Sequence, residues 1–229
     1  MQASSAQRSM EAKRSQTGSV LRLLALCGIV APISFTTVVV VLGSIQPGYS
    51  HLSQTISSLG DIGAPNAAIQ NINFLVTGML TLAFAFGLQR GIGDGKGSKV
   101  GPALVALWGM GLIASGFVQG KGHAFTLHPV PGLAGFAASA AAALLLPGRL
   151  NTDARWRSYG SFSVVAGLLM IVSLVGFVLS FPLLPAYTGA IQRLMVGTIL
   201  LWTEVMAIRL LQISSRPQRV AQGRLDRDC

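Results

Sequence analysis

Six long apolar runs constrain this chain more than any other feature. They cover residues 20–42, 67–88, 100–119, 132–146, 159–181 and 188–211, the fourth being short and expected to begin within the preceding loop. A helix needs about 20 apolar residues to cross the hydrocarbon of a bilayer, and a helix satisfies its own backbone hydrogen bonds there. With 51% hydrophobic and 10% charged residues, the 229-residue chain departs from soluble composition in the same direction. The runs predict an all-α membrane protein: six transmembrane helices in one bundle, spanning residues 20–213. Residues 1–19 read as a disordered basic tail and residues 214–229 as a second basic tail. The first run is longer than the apolar core of a signal peptide and no small-x-small site follows it, so an uncleaved helix is expected, with Pro32 a kink.

Charge sets the expected orientation. Alternate sides receive Arg8, Lys13, Arg14 and Arg22; Arg90, Lys96 and Lys99; Arg149, Arg155 and Arg157; and Arg209, Arg216, Arg219, Arg224 and Arg227. That is 15 of 17 basic residues on one side, with Lys121 and Arg193 opposite. The positive-inside rule then places both termini in the cytoplasm, and the multi-pass protein is expected in the plasma membrane. The net charge of +10 does not point to nucleic acid, because the basic residues lie between apolar spans and not on one soluble face. Cys27, within the first span, and Cys229, at the terminus, make neither a disulfide framework nor a metal cluster, and both are expected as free thiols. Spaced small residues, such as Gly111 with Ser115 and Ser163 with Gly167, suit close helix packing.

The polar chemistry gathers on the expected outer side. Residues 45–66, IQPGYSHLSQTISSLGDIGAPN, open on a Pro47–Gly48 turn. Leu52, Ile56 and Leu59 then recur at helical spacing, which predicts a short amphipathic helix in the first extracytoplasmic loop; its polar face carries His51, Gln54, Thr55 and Ser58. Asp61, Gly63 and Pro65 turn the chain, and Asn66 is placed to cap the next helix. That helix carries Asn66, Gln70, Asn73, Thr77 and Thr81 on one stripe, which should face other helices or a wet cavity. Arg193, inside the sixth span, suits an anionic ligand held by its planar fork, or a pair with Asp61. Glu204 lies about 16 Å further inward at the helical rise, too far to touch Arg193. His51, His123 and His128 all fall outside, where one of them beside Arg193 could act as acid or base. Their spacing is not a metal-ligand pattern, and no metal or cofactor is expected.

The stretches PGYSHLSQTISSLGDIGAPNAAIQNINFLVTGML and GAIQRLMVGTILLW, with His128 near the start of the fourth helix, resemble the six-helix bacterial and archaeal membrane proteins called the domain of unknown function 998 family. The resemblance spans about residues 20–213 and is most specific in the first loop and in the Gln192–Arg193 pair. Family members often carry an acidic residue where Ser58 stands, and another where this chain has Gln119 and Lys121, so a carboxylate-based metal or ion site is disfavoured here. The family implies fold and topology but no activity.

Three functions fit these residues. The first is binding or transport of an amphipathic or anionic small molecule, or a lipid head group, in an outward cavity lined by Arg193, His51, Gln54, Ser58, Asp61, Gln70, Asn73, His123 and His128. The second is an intramembrane enzyme using His51 or His128 with Arg193 on a lipid-like substrate. The third is a structural role, with a membrane-protein partner or a second copy meeting the small-residue faces. The lipid bilayer is the one partner common to all three.

Overall fold

The structure is a computed structural model that describes residues 2–93, 99–117 and 129–215, without the side chains of residues 2–15 and Pro129. Six helices among the described residues are long and apolar enough to cross a membrane. They are α1 (Gln2–Ile45), α2 (Ala67–Gly91), α3 (Val100–Phe117), α4 (Pro129–Leu145), α5 (Gly160–Leu183) and α6 (Thr188–Ser215). As expected, α4 begins earlier than its apolar run, and the single turn Pro147–Leu150 extends it. Pro32 lies inside α1 without interrupting it. The same helix continues back to Gln2, through the stretch expected as a disordered tail. That stretch is rich in Ala, Gln, Met, Glu, Lys and Arg, good helix formers that add turns readily once the apolar span has nucleated the helix.

Each helix packs mainly on its neighbours in sequence, and α6 closes back on α1, so the six form a ring. Small residues set the approach distances. Gly78 and Gly109 meet back to back, a Cβ on either falling within 3 Å of the other's carbonyl oxygen. Gly111 lies against the Pro131 carbonyl and Gly135 against the Trp108 ring, while the Ser163 hydroxyl donates to the Ala143 carbonyl at 2.7 Å. The outer surface is apolar: Val172, Leu194 and Leu201 are each more than 60% exposed, the arrangement a lipid solvent favours.

One end of the ring is closed by charge. Arg149 is only 4% exposed, and its guanidinium donates to the Gln89 side chain at 2.8 Å and to the Gln89 and Ile92 carbonyls at 3.0 and 2.8 Å. The buried Trp156 indole donates to the Gly91 carbonyl at 3.2 Å. A helix leaves its last four carbonyls unpaired, and these two side chains answer that need for α2. Asp153 accepts from the Gly93 amide at 2.9 Å and pairs with Arg155 at 2.7 Å. The Arg155 hydrogen bonds pull its carboxyl down to about 2, against the opposing push of burial.

The other end is covered by residues 46–66, loop one. Here the structure departs from the expected amphipathic helix: the loop is a run of turns with one 3-10 turn, Ser57–Gly60. The cause lies in its hydrogen bonds. The carbonyls of Leu52 and Gln54 accept from Ala190 and Arg193, so they turn away from the path of a continuous helix, while that of Thr55 accepts from the Tyr49 hydroxyl and from the Ser58 amide, which begins the 3-10 turn. Ile56 and Leu59 are buried as their spacing predicted, whereas Leu52 is half exposed.

Candidate functional site

Loop one is shaped by local chemistry before it touches α6. Gly48 takes a φ of 70° and Gly63 one of 94°, left-handed conformations that favour glycine and let the chain turn after Pro47 and before α2. The Tyr49 hydroxyl reaches across the loop to donate to the Thr55 carbonyl at 2.9 Å. The Gln54 side chain closes a smaller ring by accepting from the Ser50 amide at 2.7 Å, and the Ser58 hydroxyl donates to the Thr55 carbonyl at 2.7 Å.

The start of α6 then clasps the loop. Arg193 donates through Nη1 to the carbonyls of Gln54 at 2.9 Å and Gly189 at 2.8 Å, and through Nη2 to the Tyr49 hydroxyl. Its guanidinium lies 5.7 Å from the Tyr49 ring centre, within cation–π range. One residue earlier, Gln192 Oε1 accepts the buried Ile56 amide at 2.6 Å. The Ala190 amide donates to the Leu52 carbonyl at 2.9 Å. His51 stands edge-on to Tyr49, ring centres 5.3 Å apart, against Gly43. Burial, and after it the charge of Arg193, lowers the His51 pKa below 6.5. Burial also raises that of Tyr49 above 10, with Arg193 opposing.

Beneath the loop, a cavity of about 490 Å³ opens on the axis of the ring, and every helix contributes to it. Its walls are apolar and include three aromatic pairs: Phe35 with Phe74 at 5.7 Å, Trp108 with Phe136 at 4.9 Å, and Phe177 with Phe181 at 5.2 Å. Among the described residues its few polar groups are Thr55, Ser57 and Asp61 from loop one, Ser115 on α3 and Gln192 on α6. At the helical rise the aromatic side chains lie up to about 15 Å below the loop.

The expected site residues therefore separate into three places. Arg193, His51 and Gln54 meet, with Ser58 close by in the same loop. Asp61 lines the cavity and Arg193 does not. Gln70 and Asn73 are buried in the seam between α1 and α2, where Asn73 donates to the Phe35 carbonyl at 3.4 Å and to Gln70 at 3.5 Å. The stripe is inward from Gln70 onward: Thr77 and Thr81 are buried as well, while Asn66 is half-buried. Two nitrogen or oxygen atoms of this stripe, Gln70 Nε2 and Thr77 Oγ1, have no partner among the described residues. Asn66 occupies the N-cap position of α2, but its side chain makes no capping bond. Asn71, outside the stripe, ties α2 to the loop by donating to the Gly60 carbonyl at 3.1 Å. Glu204 lies elsewhere, in a groove of about 380 Å³ between α1 and α6 beside Pro32, Thr36 and Gly197. His123, His128 and Lys121 fall outside the described residues. Among the described residues no group of three or more His, Cys, Asp or Glu could hold a metal.

Sequence reasoning missed the cavity walls because an aromatic residue does not stand out in an apolar span. A signal was present, however. Phe35, Phe74, Trp108, Phe136 and Phe177 each lie six to ten residues in from the loop-one end of their helices, one aromatic layer at a common depth. Tyr49 was also missed as the partner of Arg193.

A ring of six membrane-length helices around an aromatic-walled cavity defines a multi-pass membrane protein with an internal chamber. The profile of the family described as protein of unknown function (DUF998) matches residues 29–209, most of the chain, and the protein belongs to that family. No curated protein and no solved structure matches the chain.

Proposed function

We propose that this protein binds an amphipathic small molecule in the aromatic-walled cavity, with loop one as its cover, on the outer face of the plasma membrane. The observation that carries the reading is the cavity itself. Sites for small molecules are concave, mostly apolar and furnished with a few polar groups, with volumes of roughly 300–1,000 Å³. This cavity has about 490 Å³ and, among the described residues, six aromatic rings and five polar side chains. An anionic head group finds less support, because the Arg193 fork is already engaged by Gln54, Gly189 and Tyr49. The enzyme alternative draws little from His51, which packs on Tyr49 and Gly43 and is not among the cavity walls.

Native mass spectrometry of the purified protein tests the reading. A co-purifying molecule is expected on the unmodified protein, and its loss is expected in Leu112→Trp, where the larger ring fills the cavity. Leu112 is a buried wall residue. Equal occupancy in a folded Leu112→Trp protein would overturn the assignment.

A further inference from the structure

We infer that the guest comes from the bilayer itself: the apolar tail of an amphiphile in the leaflet on the loop-one side enters the chamber sideways, between α4 and α5, and its polar end stays at the mouth. The inference rests on the reading of the cavity as a binding site and adds the class of guest and its route.

Exposure around the walls locates the mouth. Phe35, Trp108, Leu112 and Phe136 line the cavity and are each 8% exposed or less, so the cavity itself exposes a wall residue very little. On α5 the buried Phe177 is followed by Val178 and Phe181, which line the same cavity yet are 49% and 56% exposed. Side chains that meet both the cavity and the surroundings stand at the edge of the wall.

Helix packing explains why the edge is there. Gly167 of α5 lies against the side chains of Leu144 and Ala143, so α4 and α5 are close at the end away from loop one. Val178 is eleven residues, about three turns, further along and continues the same face of α5. Toward loop one, however, each helix leans on its other neighbour. Gly135 of α4 is seated on the Trp108 ring and the Pro131 carbonyl on Gly111, both of α3, while the Ser180 hydroxyl of α5 bonds Thr188 of α6 at 3.2 Å. Helices held together at one end and drawn to different neighbours at the other leave a wedge between them. Gly132 and Leu133, the α4 residues that line the cavity at this level, are only partly buried.

The mouth is also at the right depth. Val178 and Phe181 lie within about 8 Å of the last residue of α5 at the helical rise, close to the boundary where amphiphiles keep their polar ends. The way in along the axis of the ring is covered by loop one, which Gln192 and Arg193 bond to α6 and Asn71 bonds to α2. A membrane-dissolved tail reaches the side opening without crossing water.

Photolabelling of the full-length protein in phosphatidylcholine nanodiscs tests the inference. The probes are a phosphatidylcholine and a lysophosphatidylcholine, each with a diazirine on one acyl chain, and labelled residues are mapped by mass spectrometry. Label is expected on Phe74 and Trp108, walls that are 7% and 4% exposed and thus beyond the reach of lipid outside the ring, as well as on the surface residues Val172 and Leu194. Label on the walls from both probes identifies one tail of a bilayer lipid as a guest; label from the lysolipid alone identifies a single-chain amphiphile, and either upholds the inference. Wall label, relative to surface label, should fall severalfold in Val178→Trp, which narrows the mouth, and stay unchanged in Val172→Trp on the same helix. Label confined to the surface, or wall label indifferent to Val178→Trp, would overturn the inference. The cavity reading would then stand if native mass spectrometry still shows a molecule lost in Leu112→Trp, and would fall with the inference if it does not. Should Val178→Trp not fold, wall label on the unmodified protein decides alone.

Discussion

Arg193 on α6 donates through Nη1 to the carbonyl oxygen of Gln54 in loop one, 2.9 Å away across 139 residues of sequence. The same guanidinium holds Gly189 and Tyr49, so one side chain joins the first turns of α6 to both arms of the loop. A lysine keeps the charge but not the planar fork that reaches three acceptors. Arg193→Lys should therefore loosen loop one at a cost of about 1 to 2 kcal/mol. Hydrogen exchange should rise across residues 50–58 and stay unchanged in α2. Unchanged exchange in the loop would show that Arg193 is not its fastener.

Gly189 supplies a steric version of the same test. A Cβ at this position would meet the Gln54 carbonyl oxygen, and the His51 carbonyl oxygen at 2.8 Å, both backbone atoms that cannot rotate away. Gly189→Ala should lift the loop from α6 and lower severalfold the occupancy of the co-purifying molecule in native mass spectrometry. Normal binding would mean that the loop does not cover the cavity.

The depressed pKa of His51 gives the clasp a pH dependence with a definite sign. Burial first, and Arg193 second, favour the neutral imidazole in the folded protein. The folded pKa lies below 6.5, so the stabilisation is complete above about pH 6.5 and is lost as pH falls through the folded value. The melting temperature should fall between pH 7 and pH 5, and the fall should be shallower in His51→Gln. His123 and His128 remain in both proteins, so the difference isolates His51. Parallel profiles would remove His51 from the clasp.

The six-helix fold was legible because span length is written in contiguous residues. The inward stripe from Gln70 to Thr81 was legible for a similar reason, since one helix carries it at a regular spacing. Loop one was only half legible. The buried positions Ile56 and Leu59 follow from spacing, but the backbone path is set by Gln192 and Arg193, which lie more than 130 residues away. The cavity was illegible one span at a time, because its rings come from five helices and acquire meaning only when the ring closes. Arg193 was rightly marked as needing compensation, yet its partners are carbonyls and a phenol, which no charge count could single out.

The orientation has a direct test. In a Cys27→Ala, Cys229→Ser background, a cysteine in place of the exposed Ser53 should react with an impermeant thiol reagent added to intact cells. Labelling only after the membrane is opened would place loop one and the cavity mouth on the cytoplasmic side. The assignment of the cavity to the outer face would then fall.

Arg149 should prove the least replaceable basic residue at the opposite end. Its guanidinium serves the Gln89 side chain and two carbonyls of the α2 terminus while only 4% exposed, so water cannot take its place. Each buried acceptor left unpaired costs on the order of 1–3 kcal/mol. Arg149→Ala should thus lower the melting temperature more than substitution of any exposed arginine, such as Arg157. Arg149→Lys should recover little, because an ammonium cannot span acceptors on both Gln89 and Ile92. The cavity lies at the other end of the ring, so the fraction of Arg149→Ala that folds should retain the co-purifying molecule at unchanged occupancy. A melting temperature within about a degree of the unmodified protein would show that the α2 terminus is held by Trp156 and Asp153 without Arg149.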